Sequence, residues 1–400
     1  MNNFKKKRYK IIIFAPKIYP LLAENHIENQ GGMDVYFKNL IDGFTKYSDF
    51  ELNVFLLKRT IKSDLKLNST IVNNMKVNFT TIPDYGVWSK NIFHKIFSYL
   101  YFLICIIKCK PDVFIKAGIE YPIDFLLLLY SKFFNTKLKS IMISSTATEY
   151  REATDFKNKV RQKITKKILK SMDVSIICQN NQQFNEAQKF IDKNNLLIIN
   201  NIFSPRKKID TTTTIENSHF ILWVGRGEYV KNPSAFLELS KKLNPQIKKI
   251  MICMQQHDQN ITKAIDYKLL VEDSKEIPNF TLLSYVEEAV IQQYFKKSAL
   301  LVNTSFSEGF PMTFLESMCE SKPIFSLFVD PDGIIMKHNL GFCSYGDMNL
   351  LKENIEKYIL EEHKVMANHL FTSATKTYFK NNFGLKTNMQ KYIDLIQNIC

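Results

Sequence analysis

The sequence predicts an α/β protein made of two doubly wound, Rossmann-like domains joined by one linker. Three observations predict it. Short β-branched runs alternate with helical segments along the whole 400-residue chain. That alternation breaks once, in a polar stretch near residue 205, and then restarts. The length suits two domains of roughly 100–200 residues each.

The elements follow in order. Residues 10–15 (Lys-Ile-Ile-Ile-Phe-Ala) read as a buried parallel strand, because the run is apolar without alternation. A loop runs from Pro16 to Gly32, and a helical pattern from Met33 to Tyr47. Further strands are read at Leu52–Leu57, Val113–Ile115, Ile141–Ile143, Val174–Ile177 and Leu196–Ile199, with helical segments between most of them. Residues 203–218, with Ser204-Pro205 and four consecutive threonines, have no periodicity and form the linker. Strands resume at Phe220–Val224, Ile250–Met254, Phe280–Leu283, Ala299–Asn303 and Pro323–Leu327. The stretch Phe383–Ile399 has amphipathic helical spacing. The expected domains are therefore 1–202 and 203–382, with a final helix, 383–400, packing back on the first.

Composition sets the class. Hydrophobic residues make up 45% and charged residues 23%, as in an ordinary globular protein. The charge is unevenly placed. Residues 1–205 hold 31 Lys and Arg against 17 Asp and Glu, a net of +14, while residues 206–400 hold 23 against 22. The first half is therefore expected to meet an anionic partner: a membrane surface, a phosphorylated acceptor or nucleic acid. Seven scattered cysteines without a CxxC pair suggest neither zinc nor a disulfide framework, and fit reduced thiols in a cytoplasm. The longest largely apolar stretch, Ile96–Ile107, falls short of the about 20 residues that a membrane span needs.

In open parallel sheets, ligands bind beside the carboxyl ends of strands, so candidate chemistry is sought there. Gly31-Gly32 follows the first strand and precedes a helix. It reads as a loop facing a phosphate or sugar, or as a flexible loop; it is neither a dinucleotide fingerprint nor a P-loop. The block Trp223-Val-Gly-Arg-Gly-Glu-Tyr-Val-Lys-Asn-Pro233 brings Arg226 and Lys231 to a strand end, where two cations suit a diphosphate. Gly225 and Gly227 open the turn, and Asn232-Pro233 begins the next helix. The block from Ser305 to Met318 holds Glu308 in a turn made by Gly309 and Pro311, and Glu316 in the first turns of a helix. A carboxylate placed like Glu316 accepts paired hydrogen bonds from vicinal hydroxyls, as on a ribose, and Glu308 is placed to reach a sugar hydroxyl.

The spacing Glu308-x7-Glu316, with Gly-Phe-Pro after the first Glu, resembles the signature of the family-4 retaining glycosyltransferases of GT-B fold. The Gly225-Arg226 to Lys231-Asn232 block resembles the diphosphate clamp of that family, and Gly31-Gly32 its N-terminal glycine loop. The resemblance implies that Arg226 and Lys231 hold a donor diphosphate, that Glu316 binds the ribose and that Glu308 binds the donor sugar. It also implies that the loop Gly309, Phe310, Pro311, Met312 and Thr313 lines the donor, with the amides of Phe310, Met312 and Thr313 facing sugar or phosphate. Glu308, Arg226 and Lys231 are the implied catalytic residues. The implied reaction retains anomeric configuration and uses no metal or other cofactor; the implied substrate is a nucleoside-diphosphate sugar, with UDP the expected nucleotide. Two departures bear on the sugar: Ser144-Ser145-Thr146 stands where the family often has a His, and Gln255-Gln256-His257-Asp258 replaces a glycine-rich segment. His26, Ser145 and Thr146 are the candidates for the acceptor side.

The stretch Lys157–Lys170 carries seven basic residues. Val160, Ile164 and Ile168 recur at every fourth position, which predicts a helix with that face packed on the domain and a basic outer side. Such a side suits anionic lipid, and the Lys5–Lys10 cluster adds to it. The aromatic-rich run Trp88–Tyr101 reads as a buried core helix, with lipid contact as the alternative. The expectation is thus a cytoplasmic glycosyltransferase held peripherally on the membrane's inner face. Its acceptor would be a glycan or lipid-linked glycan in bacterial surface polysaccharide synthesis, such as capsule or lipopolysaccharide. A sugar-nucleotide epimerase of the same layout and a non-enzymatic anionic-polymer or nucleic-acid binder are the alternatives. No nucleic-acid-binding motif is present, so no nucleic-acid partner is expected.

Overall fold

The computed structural model describes residues 8–18, 32–57, 69–82, 92–145, 147–150, 155–204, 219–255, 265–284, 286–360 and 364–400. Contacts divide the chain into two units, residues 1–202 with 385–400, and residues 203–384.

The first unit holds an eight-stranded sheet: β1 (Lys10–Phe14), β2 (Glu51–Leu57), β3 (Ser69–Val72), β4 (Met75–Ile82), β5 (Val113–Ala117), β6 (Lys139–Ile143), β7 (Val174–Cys178) and β8 (Leu196–Ile198). Their order is β3-β4-β2-β1-β5-β6-β7-β8, parallel except where β3 runs against β4. The helices are α1 (Gly32–Tyr47), α2 (Ile92–Cys109), α3 (Tyr121–Phe133), α4 (Phe156–Lys170) and α5 (Asn181–Gln188). Strand β1 is apolar without alternation because both its faces are covered. Ile11 and Ile13 join the core under α1, while Ile12 and Phe14 join the core under α2, α3 and α4.

The last helix, Leu385–Ile399, belongs to this first unit. Its Met389, Tyr392, Ile393 and Ile396 pack into the core of α1. Gly43 makes the approach possible, since a Cβ there would lie 2.3 Å from the Met389 sulfur. The buried hydroxyls of Tyr36 and Tyr392 share a hydrogen bond across the contact. The helix starts at Leu385 and not at Phe383. The Phe383 ring is claimed by the second unit's core, 5.0 Å from Phe310.

Two helices depart from their expected burial. In α4 the buried residues are Thr165, Ile168 and Leu169, whereas Val160 and Ile164 are 44% and 41% exposed. A stripe repeating every fourth residue drifts about 40° per step around a helix, so residues facing the sheet at one end turn away at the other. Helix α2 is not a wholly buried core helix. Its Phe102, Cys105 and Ile106 face the sheet, but Phe93, Ile96, Phe97, Leu100, Tyr101 and Ile104 are exposed. Trp88 itself lies outside the described residues.

The hairpin β3–β4 was not legible as a continuous apolar run, because its side chains alternate. Its signal is Asn73-Asn74, both with positive φ (47° and 65°), the pair that a tight type I′ turn demands.

The second unit is a six-stranded, wholly parallel sheet: β9 (Phe220–Arg226), β10 (Lys248–Met254), β11 (Phe280–Leu283), β12 (Leu300–Asn303), β13 (Ile324–Ser326) and β14 (Gly341–Cys343). The order is β11-β10-β9-β12-β13-β14. Helices α6 (Pro233–Lys242), α7 (Tyr267–Lys275), α8 (Glu288–Lys297), α9 (Met312–Cys319), α10 (Ile334–Lys337), α11 (Met348–Leu360) and α12 (Lys364–Asn382) cover its two faces. Strand β14 went unread in the sequence because its three residues are too few to carry a periodicity. Most of the linker, 205–218, lies outside the described residues.

Candidate functional site

In the second sheet the strand order runs outward from β9 in one direction and from β12 in the other. The loops after two such strands diverge and leave a crevice, the place where open α/β sheets bind ligands. The loop after β9 carries Arg226 to Asn232, and the loop after β12 carries Thr304 to Pro311. The two strongest sequence blocks are therefore brought together by topology, 77 positions apart in the chain at Lys231 and Glu308.

A set of hydrogen bonds fixes these loops to each other. The Trp223 indole N–H donates to the Thr304 hydroxyl at 2.9 Å, and that hydroxyl donates to the Asn232 carbonyl at 2.8 Å, with the Lys231 carbonyl at 3.2 Å. The Phe306 amide donates to the Val230 carbonyl at 2.9 Å. Asn232 takes a left-handed conformation (φ 51°), and Pro233 then opens α6, its fixed φ suiting a first helical position. Thr304→Val keeps the volume but leaves the buried Trp223 indole N–H without its acceptor. It is expected to cost about 1–3 kcal/mol in urea unfolding.

Gly225 has a different use from the turn expected of it. It lies inside β9, and a Cβ there would come within 2.7 Å of the Trp223 ring. Its lack of a side chain makes room for the indole that anchors Thr304.

Lys231 and Glu308 form the centre of the site. The Lys231 Nζ lies 2.6 Å from Glu308 Oε2, with 22% and 12% of the two side chains exposed. The Ser305 hydroxyl donates to Glu308 Oε1 at 2.7 Å, and the Asn303 amide reaches the same oxygen at 3.5 Å. Burial alone would push the Glu308 carboxyl up. The Lys231 charge, with hydrogen bonds from Lys231, Ser305 and Asn303, outweighs burial and holds it below its ordinary value of 4.5. Glu308 is thus an anion that fixes a cation in place. The ammonium has three donors, and the bond to Glu308 Oε2 uses one of them.

The other cation, Arg226, ends β9. Its guanidinium lies 3.1 Å from Glu228, a residue to which the sequence reading gave no role. Glu316 sits at the fifth position of α9. It lines a small pocket with Phe203, Gln292, Phe295 and Cys319, a set distinct from the partners of Glu308. Gly309, Pro311, Met312 and Thr313 form the turn into α9 and its first positions, where the helix dipole favours an anion. The Phe310 side chain is buried in the core against Phe314 and Phe383. An exposed aromatic row, Tyr229, Phe306 and Phe328, stands beside these loops with ring centroids 5.2 and 5.5 Å apart. Sequence reasoning missed it, since its members come from three separate loops.

The remaining candidates lie in the first unit. Gly32 is the first residue of α1, and Ser145 follows β6, where its amide and hydroxyl both engage the Glu149 carboxylate. Gly31, His26 and Thr146 lie outside the described residues, as does His257.

Comparison with known proteins bears on the fold and on the second unit's sequence. The sequence model of the family described as Glycosyl transferases group 1 matches residues 205–375. The chain is 22% identical over 210 residues to Glycosyltransferase 1 domain-containing protein 1 of Xenopus tropicalis, covering 49% of this chain and 57% of that protein. Among solved structures it resembles sucrose-phosphate synthase from Thermosynechococcus elongatus. There the TM-score is 0.75 at 13% identity, with 98% of this chain and 99% of that chain covered. It also resembles Anabaena HepE in complex with UDP and glucose, with a TM-score of 0.67 at 13% identity over 98% and 100% of the two chains. Likeness at such identity is likeness of fold. Residues 205–375 therefore resemble the glycosyl transferases group 1 family, and the chain as a whole has the GT-B fold.

Proposed function

We propose that this chain is a retaining glycosyltransferase that moves a sugar from a nucleoside-diphosphate donor, UDP being the expected nucleotide, to a lipid-linked or membrane-borne glycan. The carrying observation is the Lys231–Glu308 pair at the switch point of the second sheet. As the bond between sugar and diphosphate breaks, negative charge grows on the diphosphate. Lys231, held in place by Glu308, and Arg226 at the end of β9 supply fixed positive charge there, so no metal ion is required. Preorganised charge of this kind stabilises the transition state without reorganising when the bond breaks. Glu316 binds the ribose hydroxyls through its carboxylate. Tyr229, Phe306 and Phe328 give a sugar ring a flat apolar face. The acceptor is a bacterial surface glycan, and the basic first unit holds the enzyme on the anionic inner face of the membrane.

A thermal-shift screen of UDP-, GDP-, ADP- and CMP-sugars tests this reading. A donor at 100 times its Kd stabilises by about 2.7 kcal/mol, a rise of roughly 5–10 °C. Glu316→Gln is expected to remove that rise. If no nucleoside diphosphate or its sugar shifts the melting of the unaltered protein, the proposal is wrong.

A further inference from the structure

Helix α2 exposes Phe93 (76%), Ile96 (50%), Phe97 (63%), Leu100 (54%) and Ile104 (47%). Phe93, then Ile96 with Phe97, then Leu100 and Ile104 recur every three or four residues over three turns, which lays them along one face. A run of large side chains of this length is more than the scattered apolar exposure found on ordinary surfaces. The helix is otherwise anchored, since Phe102 and Ile106 on its other face are fully buried in the core shared with α3 and α4.

The same side of the unit repeats the pattern. Helix α3 packs against both α2 and α4. On α4, Phe156, Val160 and Ile164 are exposed, at 83%, 44% and 41%. Phe102 and Ile106 of α2 and Ile168 and Leu169 of α4 lie in one core on the same face of the sheet, so the two helices belong to one surface. Charge selects what that surface meets. Helix α2 contains Lys95 and Lys108, and α4 contains Lys157, Lys159, Arg161, Lys163, Lys166, Lys167 and Lys170; neither holds an acidic residue. An apolar stripe flanked by these cations fits an anionic bilayer surface: acyl chains take the stripe and headgroups take the rim, with Asp155 at the start of α4 the acidic group beside it. Among the described residues no helix is long and apolar enough to cross a membrane.

We infer that the outer face of α2, through Phe93, Phe97 and Leu100, inserts into the headgroup boundary of an anionic lipid bilayer, with α4 supplying the electrostatic rim. This rests on the membrane-bound reading above and deepens it. That reading needs only charge, whereas this one needs the apolar stripe to enter lipid.

The test uses the full chain with phosphatidylcholine vesicles, with and without phosphatidylglycerol. The unaltered protein should bind the anionic vesicles. The triple variant Phe93→Ser, Phe97→Ser, Leu100→Ser should bind roughly 1,000-fold more weakly, since each of the three apolar side chains withdrawn from water contributes on the order of a tenfold factor. Phe97→Trp should gain fluorescence that brominated acyl chains quench. All three positions are exposed, so the melting temperature should stay put. If the triple variant binds as well as the parent and Trp fluorescence is not quenched, the insertion is refuted while charge-driven binding stands. If the parent binds no vesicle, the membrane reading falls and takes this inference with it. If the parent is a dimer in sedimentation that the triple variant disrupts, a second copy covers the stripe and the lipid assignment is refuted. The nucleotide-induced shift in melting reports independently on the donor site.

Discussion

Lys231→Met is expected to lower kcat/KM for sugar transfer by roughly 100- to 1,000-fold, the usual cost of deleting one preorganised stabilising group. The loss has two parts. The positive charge proposed to meet the departing diphosphate disappears, and Glu308 keeps its carboxylate in a site where only 12% of the side chain is exposed. The second part predicts a pH signature. In the unaltered protein Glu308 titrates below 4.5, so the stability it contributes is complete above that value and is lost as pH falls through the lower folded one. Without the Lys231 charge, burial pushes the carboxyl up against only the Ser305 and Asn303 hydrogen bonds. The acid limb of the pH–rate profile should then move to higher pH. The folded state should lose roughly 2–3 kcal/mol near neutrality, less than for a fully buried pair. Lys231→Arg keeps the charge and should leave the acid limb in place, even where misplacement of the longer group lowers kcat. An unchanged acid limb in Lys231→Met would show that Glu308 does not depend on Lys231.

Lys116→Met is expected to unfold the first unit most readily of any single change considered. The Lys116 Nζ lies 2.9 Å from Asp124 Oδ1, with 1% and 0% of the side chains exposed. The same ammonium donates to the Gly118 carbonyl at 2.5 Å, and the Glu120 amide donates to Asp124 Oδ2 at 2.8 Å. Removing the lysine leaves a buried carboxylate without its counter-charge, which costs about 3–5 kcal/mol. For a unit of this size that lowers Tm by roughly 10 °C. The double variant Lys116→Met, Asp124→Leu removes both charges and should recover most of the loss, because well-packed apolar pairs often match buried ion pairs. A double variant no more stable than Lys116→Met in calorimetry would mean that packing, and not the stranded charge, sets the cost.

Much of the fold was legible in the sequence because the relevant signals are local. Ile11 to Phe14 form an apolar run without alternation, which is what a strand covered on both sides looks like. The elements missed are those without such a signal: β14 is three residues long, and β3–β4 alternates polar and apolar around an Asn-Asn turn. The misread faces have a geometric cause. In α4 the every-fourth-residue stripe winds away from the sheet, and in α2 apolarity on every side looks like burial although only one side is covered.

The candidate site divides in the same way. Lys231, Glu308, Arg226 and Glu316 were all visible as charged residues just after strands. Their pairing was not. Glu308 takes Lys231, Arg226 takes Glu228, and Glu316 lies among Gln292, Phe295 and Cys319. Ser305, Asn303 and Thr304 were passed over, yet each follows or ends a strand, which is the positional signal that marks the others.

By itself the sequence determined the alternation of strand and helix, the break near residue 205 and the residue types at each strand end, because periodicity and turn chemistry are properties of neighbours in the chain. Only the tertiary structure decided which charges meet and which apolar faces stay uncovered. Both depend on strand order, and strand order brings together residues separated by tens of positions, where no local pattern reaches.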